Sequence, residues 1–339
     1  MDGKIKFSIL IAAYNVEKYL GECLDSIVRQ SFDAYEIIII DDGSEDGTGI
    51  IVDEYSRKYK KIKSFHWENH GLILSRRKAL SMAIGEYVIF LDADDFHIGE
   101  TLSVLYELIK DEKPDVILYR FRFFYEDGMT KDSKDFGKYC YRNEKEELFT
   151  DLALNYEYNH LVCKAIRREI MLKDSSEYRK FAHIKLGEDL LQTILIFAYA
   201  DKVIMSDKIL YGYRVLGKSM SHSFHLQQIL DINTVYEYFE KYLEEQDFFS
   251  SKLHKSLCLA YIRKLASIMR DLWESNLVMQ EKIKVSTMIM QFRMMEKSLD
   301  QINQIALQNR VLIRLVKGKH WYIALIYNHL LNSFRRIKR

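Results

Sequence analysis

The sequence predicts an α/β protein with a mostly parallel central sheet flanked by helices, followed by a helical C-terminal region. Strand-length apolar runs begin near residues 7, 35, 62 and 87, and segments with helical periodicity separate them. A β-α-β repeat of this kind builds a parallel sheet with right-handed crossovers and helices on its faces. From residue 227 to the end, helical periodicity dominates. We therefore expect two domains, residues 1–225 and residues 226–339.

The composition is that of a globular protein. Hydrophobic residues make up 48% and charged residues 29% of the 339 residues, which excludes a disordered chain. The net charge of +1 is unevenly distributed, because residues 301–339 contain eight Lys and Arg and no Asp or Glu. The rest of the chain is therefore net acidic. That balance argues against nucleic acid as a partner, since phosphate binding needs clustered Lys and Arg.

The sequence is typical of a cytoplasmic protein. Its four cysteines are far apart and lack metal-ligand spacing, which indicates a reducing compartment. Lys4 and Lys6 precede a strand-length apolar run without an adjoining cleavage site, so we expect no signal peptide. No window reaches 18 uncharged apolar residues, so we expect no membrane-spanning helix.

The first strand is predicted at Phe7 to Ala12, which is apolar except for Ser8 and suits burial on both faces. Asn15 follows it, and its side-chain oxygen can N-cap the next helix. That helix is predicted over Val16 to Gln30, where apolar residues recur at i, i+3 and i+4. The alternation continues with strands at Tyr35 to Ile40, Ile62 to Trp67 and Tyr87 to Leu91, and with helices at Thr48 to Tyr59 and Leu72 to Ala83.

The next segment departs from this repeat. Thr101 to Lys110 predicts a helix, and Val116 to Tyr125 predicts a strand. Glu126-Asp127-Gly128 then indicates a hairpin turn into an antiparallel or mixed part of the sheet. Residues 131–150 are charged and poor in aliphatic side chains, which predicts a surface excursion. Two further elements are predicted: a helix or a strand-to-helix junction over 161–172, and an apolar helix over Leu190 to Ala200.

The most informative stretch is Gly85 to Asp95, where an apolar run meets Asp92, Asp94 and Asp95. Ligands of open α/β sheets bind beyond the carboxyl ends of such strands. Neighbouring carboxylates repel one another, and oxygen ligands suit Mg²⁺ or Mn²⁺, which often take phosphate oxygens as further ligands. The residues alone leave two interpretations open: a metal-diphosphate site, or a polar turn ahead of a helix that begins near Glu100.

Polar residues also follow the other predicted strands. Because the carboxyl ends of parallel strands lie along one edge of a sheet, we expect these residues to converge there. Each loop alone could be a simple turn, since Asp, Gly and Ser form turns readily. Four successive strand ends with hydrogen-bonding residues favour a binding site, formed by Tyr14, Asp41, Asp42, Ser44, Asn69 and Asp92 to Asp95.

Five motifs follow one another along the chain: Phe7 to Asn15, Glu36 to Ser44, Gly71 to Arg76, Gly85 to Asp95 and Glu188-Asp189. In order and spacing they resemble the family 2 glycosyltransferases over roughly residues 5–222, and linked motifs are more specific than any single one. The resemblance implies a Rossmann-like nucleotide-sugar fold of the A type. It also implies inversion of sugar stereochemistry, and it makes residues 1–225 the nucleotide-sugar-binding and catalytic domain.

The resemblance further implies roles for individual residues. Tyr14 and Asp42 match positions that contact the nucleobase, and Ala12 matches a backbone contact. Arg76 matches an arginine that approaches the nucleotide or its diphosphate. The implied substrate-binding residues are Ala12, Tyr14, Asn15, Asp42, Ser44, Arg76, Asp92, Ala93, Lys164 and Arg214.

By the same resemblance, Asp92 and Asp94 match the metal-binding pair, which implies Mn²⁺ or Mg²⁺ as a cofactor. Asp189 matches the catalytic base, and Glu188 is the second candidate. Position alone favours Asp189 as an N-cap of the helix that follows. The resemblance favours catalysis instead, and backbone N–H groups at a helix start would keep this carboxylate ionised.

Two positions depart from the family pattern. Ala12 stands where a proline is usual, which a backbone contact tolerates. Ser75-Arg76-Arg77 replaces the common Ala-Arg-Asn, which leaves the role of Arg77 open. One further segment resembles the family and would be either a loop that closes on the diphosphate or a polar surface loop. It comprises Arg214, Ser219 and Ser221.

Together these features predict an inverting, metal-dependent glycosyltransferase with a UDP-linked donor, which transfers a hexosyl or N-acetylhexosaminyl group. The expected acceptor is a saccharide or a lipid-linked saccharide in the assembly of a bacterial surface polysaccharide, such as a capsule, or of a glycolipid. A nucleotidyltransferase would instead show a Gly-rich loop with a basic residue, which Ala12 to Asn15 is not. The alternative that stays open is a catalytically weak relative that binds glycans or protein partners.

Residues 310–339 predict a basic amphipathic tail. On a helix over 321–339, one face carries Ile323, Ile326, Tyr327, Leu330, Leu331, Phe334 and Ile337, and the other carries Asn328, His329, Asn332, Arg335, Arg336 and Arg339. The apolar stretch of this helix is too short to span a bilayer, but a basic amphipathic helix suits an anionic membrane surface. Packing on the rest of the protein would explain the apolar face equally well. The absence of acids after Asp300 favours peripheral binding to the inner face of the cell membrane.

Overall fold

The structure is a computed structural model that describes residues 4–135, 137, 139–216 and 224–337, with side chains described as far as Leu331. The chain divides into two compact units. The first comprises residues 1–145, 157–183 and 188–217, and the second comprises residues 146–156, 184–187 and 218–339. Compactness does not test where the functional domains begin and end, so the predicted boundary at residue 225 stays a prediction.

The first unit contains a ten-stranded sheet. In chain order the strands are β1 Phe7–Ala13, β2 Tyr35–Asp41, β3 Ile62–His66, β4 Tyr87–Phe90, β5 Phe96–His97, β6 Val116–Tyr125, β7 Thr130–Asp132, β8 Tyr139–Arg142, β9 Lys164–Arg167 and β10 Lys202–Val215. The helices of the described residues are α1 Leu20–Val28, α2 Thr48–Lys58, α3 Leu72–Met82, α4 Thr101–Glu112, α5 Lys145–Leu154, α6 Arg168–Lys173, α7 Glu188–Tyr199, α8 Leu226–Glu244, α9 Ser251–Glu274, α10 Met279–Met290, α11 Arg293–Ser298, α12 Leu307–Lys317 and α13 Trp321–Ile337.

The parallel part of the sheet has the order β3-β2-β1-β4. Phe7 at the start of β1 lies opposite Tyr35 of β2 and Tyr87 of β4, so these three strands begin level with one another. All seven residues of β2 are buried, as expected for a central strand covered on both faces. The predicted fold class is therefore confirmed: an α/β fold with a central sheet flanked by helices, followed by a helical C-terminal region.

The remaining strands make the sheet mixed. β9 runs antiparallel between β4 and β6, while β10 runs parallel to β6. β5 and β8 pair antiparallel with β10, and β7 pairs antiparallel with β6. The hairpin turn predicted at 126–128 is confirmed, since the Gly128 N–H donates to the Tyr125 carbonyl at 3.0 Å and Gly128 has a φ of 85°. Residues 161–172 form the predicted strand-to-helix junction through β9 and α6.

One prediction about this region is wrong, and one strand was not predicted. Residues 131–150 are not only a surface excursion, because they supply β8 and most of α5, where Leu148, Phe149 and Leu152 are buried. Acidic residues in the first turn of α5 obscured that apolar side in the sequence. Most of β10 was not predicted, and its polar middle coincides with a register shift between Met205 and Ile209.

The second unit is helical, and α9 lies at its centre with most of its apolar side chains buried. Glu240 of α8 is fully buried, and three basic side chains contact its carboxylate. His254 lies 3.2 Å away, Arg293 2.7 Å and Lys297 2.9 Å. Burial of a carboxylate is tolerated only with such partners, so this cluster fastens α8, α9 and α11 together.

The last helix, α13, packs on α9 and α12 through one side. Ala324 and Asn328 are buried there, and the Asn328 amide donates to the Arg270 carbonyl at 3.3 Å. The sequence places Asn328 on the face opposite the apolar residues; the structure shows that this face, rather than the apolar one, packs at Asn328. The apolar residues Tyr322, Ile323, Ile326 and Leu330 are between 52% and 74% exposed. In the described part of the chain, no helix combines the length and the apolar composition needed to cross a bilayer.

Candidate active site

The loops after β1 and β2 are joined through Asn15 and Ser44. The Ser44 hydroxyl accepts from the Asn15 N–H at 3.1 Å, and the Asn15 side-chain oxygen accepts from the Glu45 N–H at 2.9 Å. Asn15 does not cap α1, which begins only at Leu20, so this prediction is wrong. Its φ of 53° turns the chain back toward the β2 loop. The side chain of Tyr14 beside it is 47% exposed, and Ala12 is half-buried.

Asp42 is buried and saturated with hydrogen bonds. One oxygen accepts from the Trp67 indole N–H at 2.7 Å and from the His70 N–H at 2.9 Å, and the other accepts from the Gly71 N–H at 2.9 Å. These bonds hold the segment that leads into α3. Asp42 thus shapes the loop around the predicted nucleobase position. No motif in the sequence indicated Trp67, whose indole N–H donates to Asp42.

Asp41 has a different partner, the His66 imidazole. The Asp41 carboxylate accepts from the Ser44 N–H at 3.1 Å, and His66 Nδ1 lies 2.8 Å from its other oxygen. His66 Nε2 lies 3.0 Å from Asp53. Hydrogen bonds to the two carboxylates raise the pKa of His66 above its ordinary value. Sequence reasoning assigned no role to this histidine.

Arg76 lies at the centre of the candidate site. Its guanidinium donates to Asp92 Oδ1 at 2.8 Å and to Asp189 Oδ1 at 2.7 Å, although the two acids are far apart in sequence. Arg76 is only 3% exposed. Burial alone would lower its pKa, but the charges of Asp92 and Asp189 outweigh that cost and raise the pKa. The side chain is therefore a fixed cation between the predicted metal ligand and the predicted base.

Asp189 lies within the first turn of α7, and its second oxygen accepts from the Leu161 N–H at 3.1 Å. Since both of its oxygens serve other segments, Asp189 does not act as the N-cap of α7. Burial raises the pKa of Asp189, but the Arg76 charge and the Leu161 N–H outweigh burial and hold the pKa below its usual value. Burial and the neighbouring Asp189 charge raise the pKa of Glu188 to about 8. Near neutral pH, one carboxylate is ionised and its neighbour holds a proton.

The three acids after β4 have different environments. Asp95 is buried, and it accepts from the Tyr211 hydroxyl at 2.6 Å and from the Arg214 N–H at 2.7 Å. Burial and the nearby Asp94 charge raise the pKa of Asp95. Asp94 pairs with no side chain of the described residues, and burial together with the Asp92 charge raises its pKa to about 6. Asp95 therefore belongs to the framework, whereas Asp94 holds an uncompensated carboxylate.

Asp92 and Asp94 fit a divalent ion that takes its other ligands from outside the protein. One oxygen of Asp92 is engaged by Arg76, which leaves the second oxygen and the Asp94 carboxylate available. Within the described residues, no group of three or more His, Cys, Asp or Glu side chains is arranged to hold a metal. Mg²⁺ and Mn²⁺ commonly bind through one or two carboxylates plus water and phosphate oxygens. Ala93, between the two acids, is 4% exposed.

Arg214 reaches the acidic loop from β10. Its Nε donates to the Asp94 carbonyl and its Nη2 donates to Glu22, both at 2.8 Å. The guanidinium also lies over the rings of Tyr19 and Phe96. Arg214 thus secures the loop that carries the acids. Ser219 and Ser221, which completed this predicted segment, lie outside the described residues.

Lys164 and Arg77 are held close to the site by different contacts. Lys164 is fully buried and donates to the His160 carbonyl at 2.5 Å, and burial lowers its pKa to about 8. Arg77 donates to the Asp174 carboxylate at 3.2 Å and stacks over the Tyr178 ring. The sequence left the role of Arg77 open, and the structure shows that this residue of α3 contacts the loop after α6.

The comparisons with known proteins agree with this geometry. The family model described as glycosyl transferase family 2 matches residues 8–173. Cholesterol galactosyltransferase of Borreliella burgdorferi is 32% identical over 272 residues, which cover 76% of this chain and 74% of that protein. The chain belongs to glycosyltransferase family 2.

One further relative and one solved structure are similar to this chain. The glycosyltransferase GlyA of Streptococcus pneumoniae serotype 4 is 30% identical over 236 residues, which cover 64% of this chain and 31% of GlyA. The chain therefore spans less than a third of GlyA. The crystal structure of residues 1–349 of Staphylococcus aureus TarS in complex with UDP-GlcNAc has a TM-score of 0.69, at 21% identity, and covers 98% of this chain and 92% of that one. At this identity the likeness shows a shared fold.

Proposed function

We propose that this family 2 protein is an inverting, metal-dependent glycosyltransferase that moves a hexosyl or N-acetylhexosaminyl group from a UDP-linked donor to an acceptor hydroxyl. One observation carries the proposal: the buried Arg76 guanidinium holds Asp92 and Asp189 at 2.8 and 2.7 Å. A single side chain thereby fixes the spacing between a carboxylate suited to a metal and a carboxylate suited to proton removal. The UDP-GlcNAc complex of TarS, which has the same fold, supports a UDP-linked donor.

On the donor side, Asp92 and Asp94 would hold the ion. A bound Mn²⁺ or Mg²⁺ would supply positive charge to the diphosphate as it leaves. Arg76 adds a second preorganised charge, which is most effective in a site that excludes water. Tyr14, with its exposed ring, and the loop held by Asp42 and Ser44 would receive the uridine.

On the acceptor side, Asp189 would take the proton. As the acceptor oxygen bonds to the anomeric carbon from one face, the bond to the diphosphate breaks on the opposite face, which inverts the configuration. The acceptor proton passes to the Asp189 carboxylate, whose lowered pKa keeps it ionised and ready. Protonated Glu188 beside it would donate a hydrogen bond to a sugar or acceptor oxygen.

The base assignment is tested with Asp189→Asn, which keeps the shape of the side chain but cannot accept a proton. We expect UDP release in the presence of acceptor to fall about 10²- to 10⁴-fold. Donor affinity measured by calorimetry should stay within a factor of a few of the wild-type value. Asp132→Asn, which alters an exposed ion pair with Arg122, is the control and should retain full turnover. Near-normal turnover of Asp189→Asn combined with loss in Glu188→Gln would exchange the two roles.

For location, we propose a cytoplasmic enzyme bound peripherally to an anionic membrane through residues 310–339. The exposed apolar residues of α13 support this, and exposed Lys317 and Lys319 directly precede them. The four cysteines are free, with Cys140 half-buried and the other three buried, which agrees with a reducing compartment. Membrane docking would give the enzyme access to a lipid-linked saccharide acceptor in surface polysaccharide or glycolipid assembly.

A further inference from the structure

Strands β6 and β10 carry a group of aromatic side chains close to Asp189. Phe121, Phe123 and Tyr125 alternate along β6 and so share one face of the sheet, and Tyr213 of β10 lies in register with Phe123. The Phe121 and Phe123 ring centroids are 5.0 Å apart, and those of Phe123 and Tyr213 are 5.5 Å apart, both edge to face. Phe121 is buried, whereas the other three are half-buried. We call Phe123, Tyr125 and Tyr213 the aromatic platform.

The loop that holds Asp189 also contacts this group. The His160 ring lies 4.8 Å from the Phe121 ring and 6.5 Å from the Tyr213 ring. The next residue, Leu161, donates its N–H to Asp189 Oδ2 at 3.1 Å. On the same face of β6, the Tyr119 hydroxyl donates to the Val162 carbonyl at 2.8 Å, so residues 160–162 lie over this face. The aromatic platform therefore lies on the same side of the sheet as the base.

The neighbouring residue of β10 points the other way. Successive side chains of a strand alternate between faces, so Arg214 contacts the Asp94 carbonyl and Glu22 while Tyr213 joins the aromatic group. Tyr211, two residues before Tyr213 and on the same face, donates its hydroxyl to Asp95 at 2.6 Å, so the acidic loop also reaches this face. Because the acceptor hydroxyl must meet Asp189, aromatic groups beside the loop that holds Asp189 are placed to reach the acceptor.

Resting on the proposed glycosyl transfer, we infer that the aromatic platform binds the acceptor as a saccharide, with a pyranose ring against the face of Phe123 or Tyr213 and a hydroxyl directed to Asp189. Aromatic faces carry partial negative charge, and the axial C–H groups of a pyranose present partial positive charge to them. The hydroxyls at the rim of the sugar can bond to the Tyr213 hydroxyl.

The arginines of β6 are not available to a phosphate-rich acceptor. The two cations of β6 are both committed to acids, since Arg122 pairs with Asp132 at 2.5 Å and Arg120 lies 3.5 Å from Asp135. They also alternate with the platform residues along the strand and so belong to its other face. A polyanionic acceptor would therefore have to use other cations, such as Lys131 of β7, which lies opposite Phe123.

The test compares Phe123→Ala and Phe123→Leu with the wild type, in the full chain with UDP and Mn²⁺. Phe123→Leu keeps the apolar bulk that folding needs but removes the ring face. The probes are methyl β-glucoside, methyl β-galactoside and methyl N-acetyl-β-glucosaminide, with binding followed by saturation-transfer NMR. Tyr139→Ala removes an exposed ring of β8 and is the matched control.

We expect at least one pyranoside to bind the wild type and the control, and to bind both Phe123 variants about tenfold more weakly, the size of one stacking contact. UDP affinity should be equal in all four proteins. Equal sugar affinity in the Phe123 variants, or no pyranoside binding in a wild type that binds UDP, overturns the inference. The inference is also overturned if the protein transfers sugar to cholesterol or poly(ribitol phosphate) and Phe123→Leu leaves that transfer unchanged. Failure of the wild type to bind UDP would instead overturn the proposed function.

Discussion

A single guanidinium determines the electrostatics of the candidate site. Burying an unpaired cation costs far more free energy than one hydrogen bond contributes. Arg76 is buried, and its ion pairs with two ionised carboxylates offset that cost. A lysine could not replace it, because only the planar fork of arginine reaches two acids along fixed directions. The same cation keeps Asp189 ionised, whereas burial and the Asp189 charge raise the pKa of Glu188 beside it and keep Glu188 protonated.

Asp94, which is half-buried, and Asp95, which is buried, allow a matched pair of substitutions. Asp94 has no side-chain partner in the described residues, so Asp94→Ala should abolish turnover without lowering the thermal midpoint. Asp95→Ala should lower the midpoint, because Tyr211 and the Arg214 N–H lose their buried acceptor. Turnover of the wild type should collapse in EDTA and return with Mn²⁺ or Mg²⁺. Full activity in EDTA would show that Asp92 and Asp94 hold no catalytic metal.

His66 makes the stability of the loop after β2 depend on pH. Its pKa is raised in the folded protein by Asp41 and Asp53, so the stabilisation is fully present below the unfolded pKa of about 6.5 and disappears as pH rises through the folded pKa. The thermal midpoint of the wild type should therefore exceed that of His66→Gln at pH 6, and the gap should shrink by pH 8.5. A gap that widens with pH would contradict the ion-pair assignment.

At the scale of elements, α13 can be tested without disturbing its packing. Ile323, Ile326 and Leu330 are exposed, so replacing all three with Ser should leave the fold intact. Each buried aliphatic side chain is worth about 1.5–3 kcal/mol, so the triple variant should lose most of its flotation with anionic liposomes. Deleting 310–339 is a poorer test, because it also removes the buried residues Leu312, Ile313 and Val316.

The control for this experiment is Ile50→Ser, which replaces an apolar side chain of the first unit that is 66% exposed. It should float as the wild type does. If the triple variant of α13 also floats like the wild type, membrane docking by this helix is wrong. High salt should weaken flotation of the wild type, since basic residues contribute about 1 kcal/mol each near an anionic surface.

Periodicity was sufficient for some elements and not for others. The β-α-β repeat was predictable because short strands rich in apolar residues alternate with amphipathic helices at a regular spacing. β10 was not, since its middle is polar and its pairing with β6 joins residues about 90 positions apart. The face on which α13 packs was also mispredicted, because Ala324 and Asn328 are chosen by close fit to α9 rather than by hydrophobicity.

At the scale of the whole molecule, the strand-end residues of the site were predictable and their contacts were not. Asp92, Asp94, Arg76 and Asp189 stand in recognisable motifs. What no motif indicates is that Arg76 joins two of them across the site, or that Leu161 fixes the second oxygen of Asp189. Such contacts depend on where distant loops meet in the folded protein, which no local pattern in the sequence specifies.

The free cysteines give the chain a natural labelling site. Burial raises the pKa of Cys23, Cys163 and Cys258, and a thiol that stays protonated and covered reacts slowly with alkylating reagents. Cys140 is the half-buried exception, and β8 pairs with the N-terminal half of β10. A maleimide fluorophore would therefore attach at one position of the unmodified protein. It would report on the strand whose other half carries Tyr213 and Arg214, with no engineered residue near the candidate site.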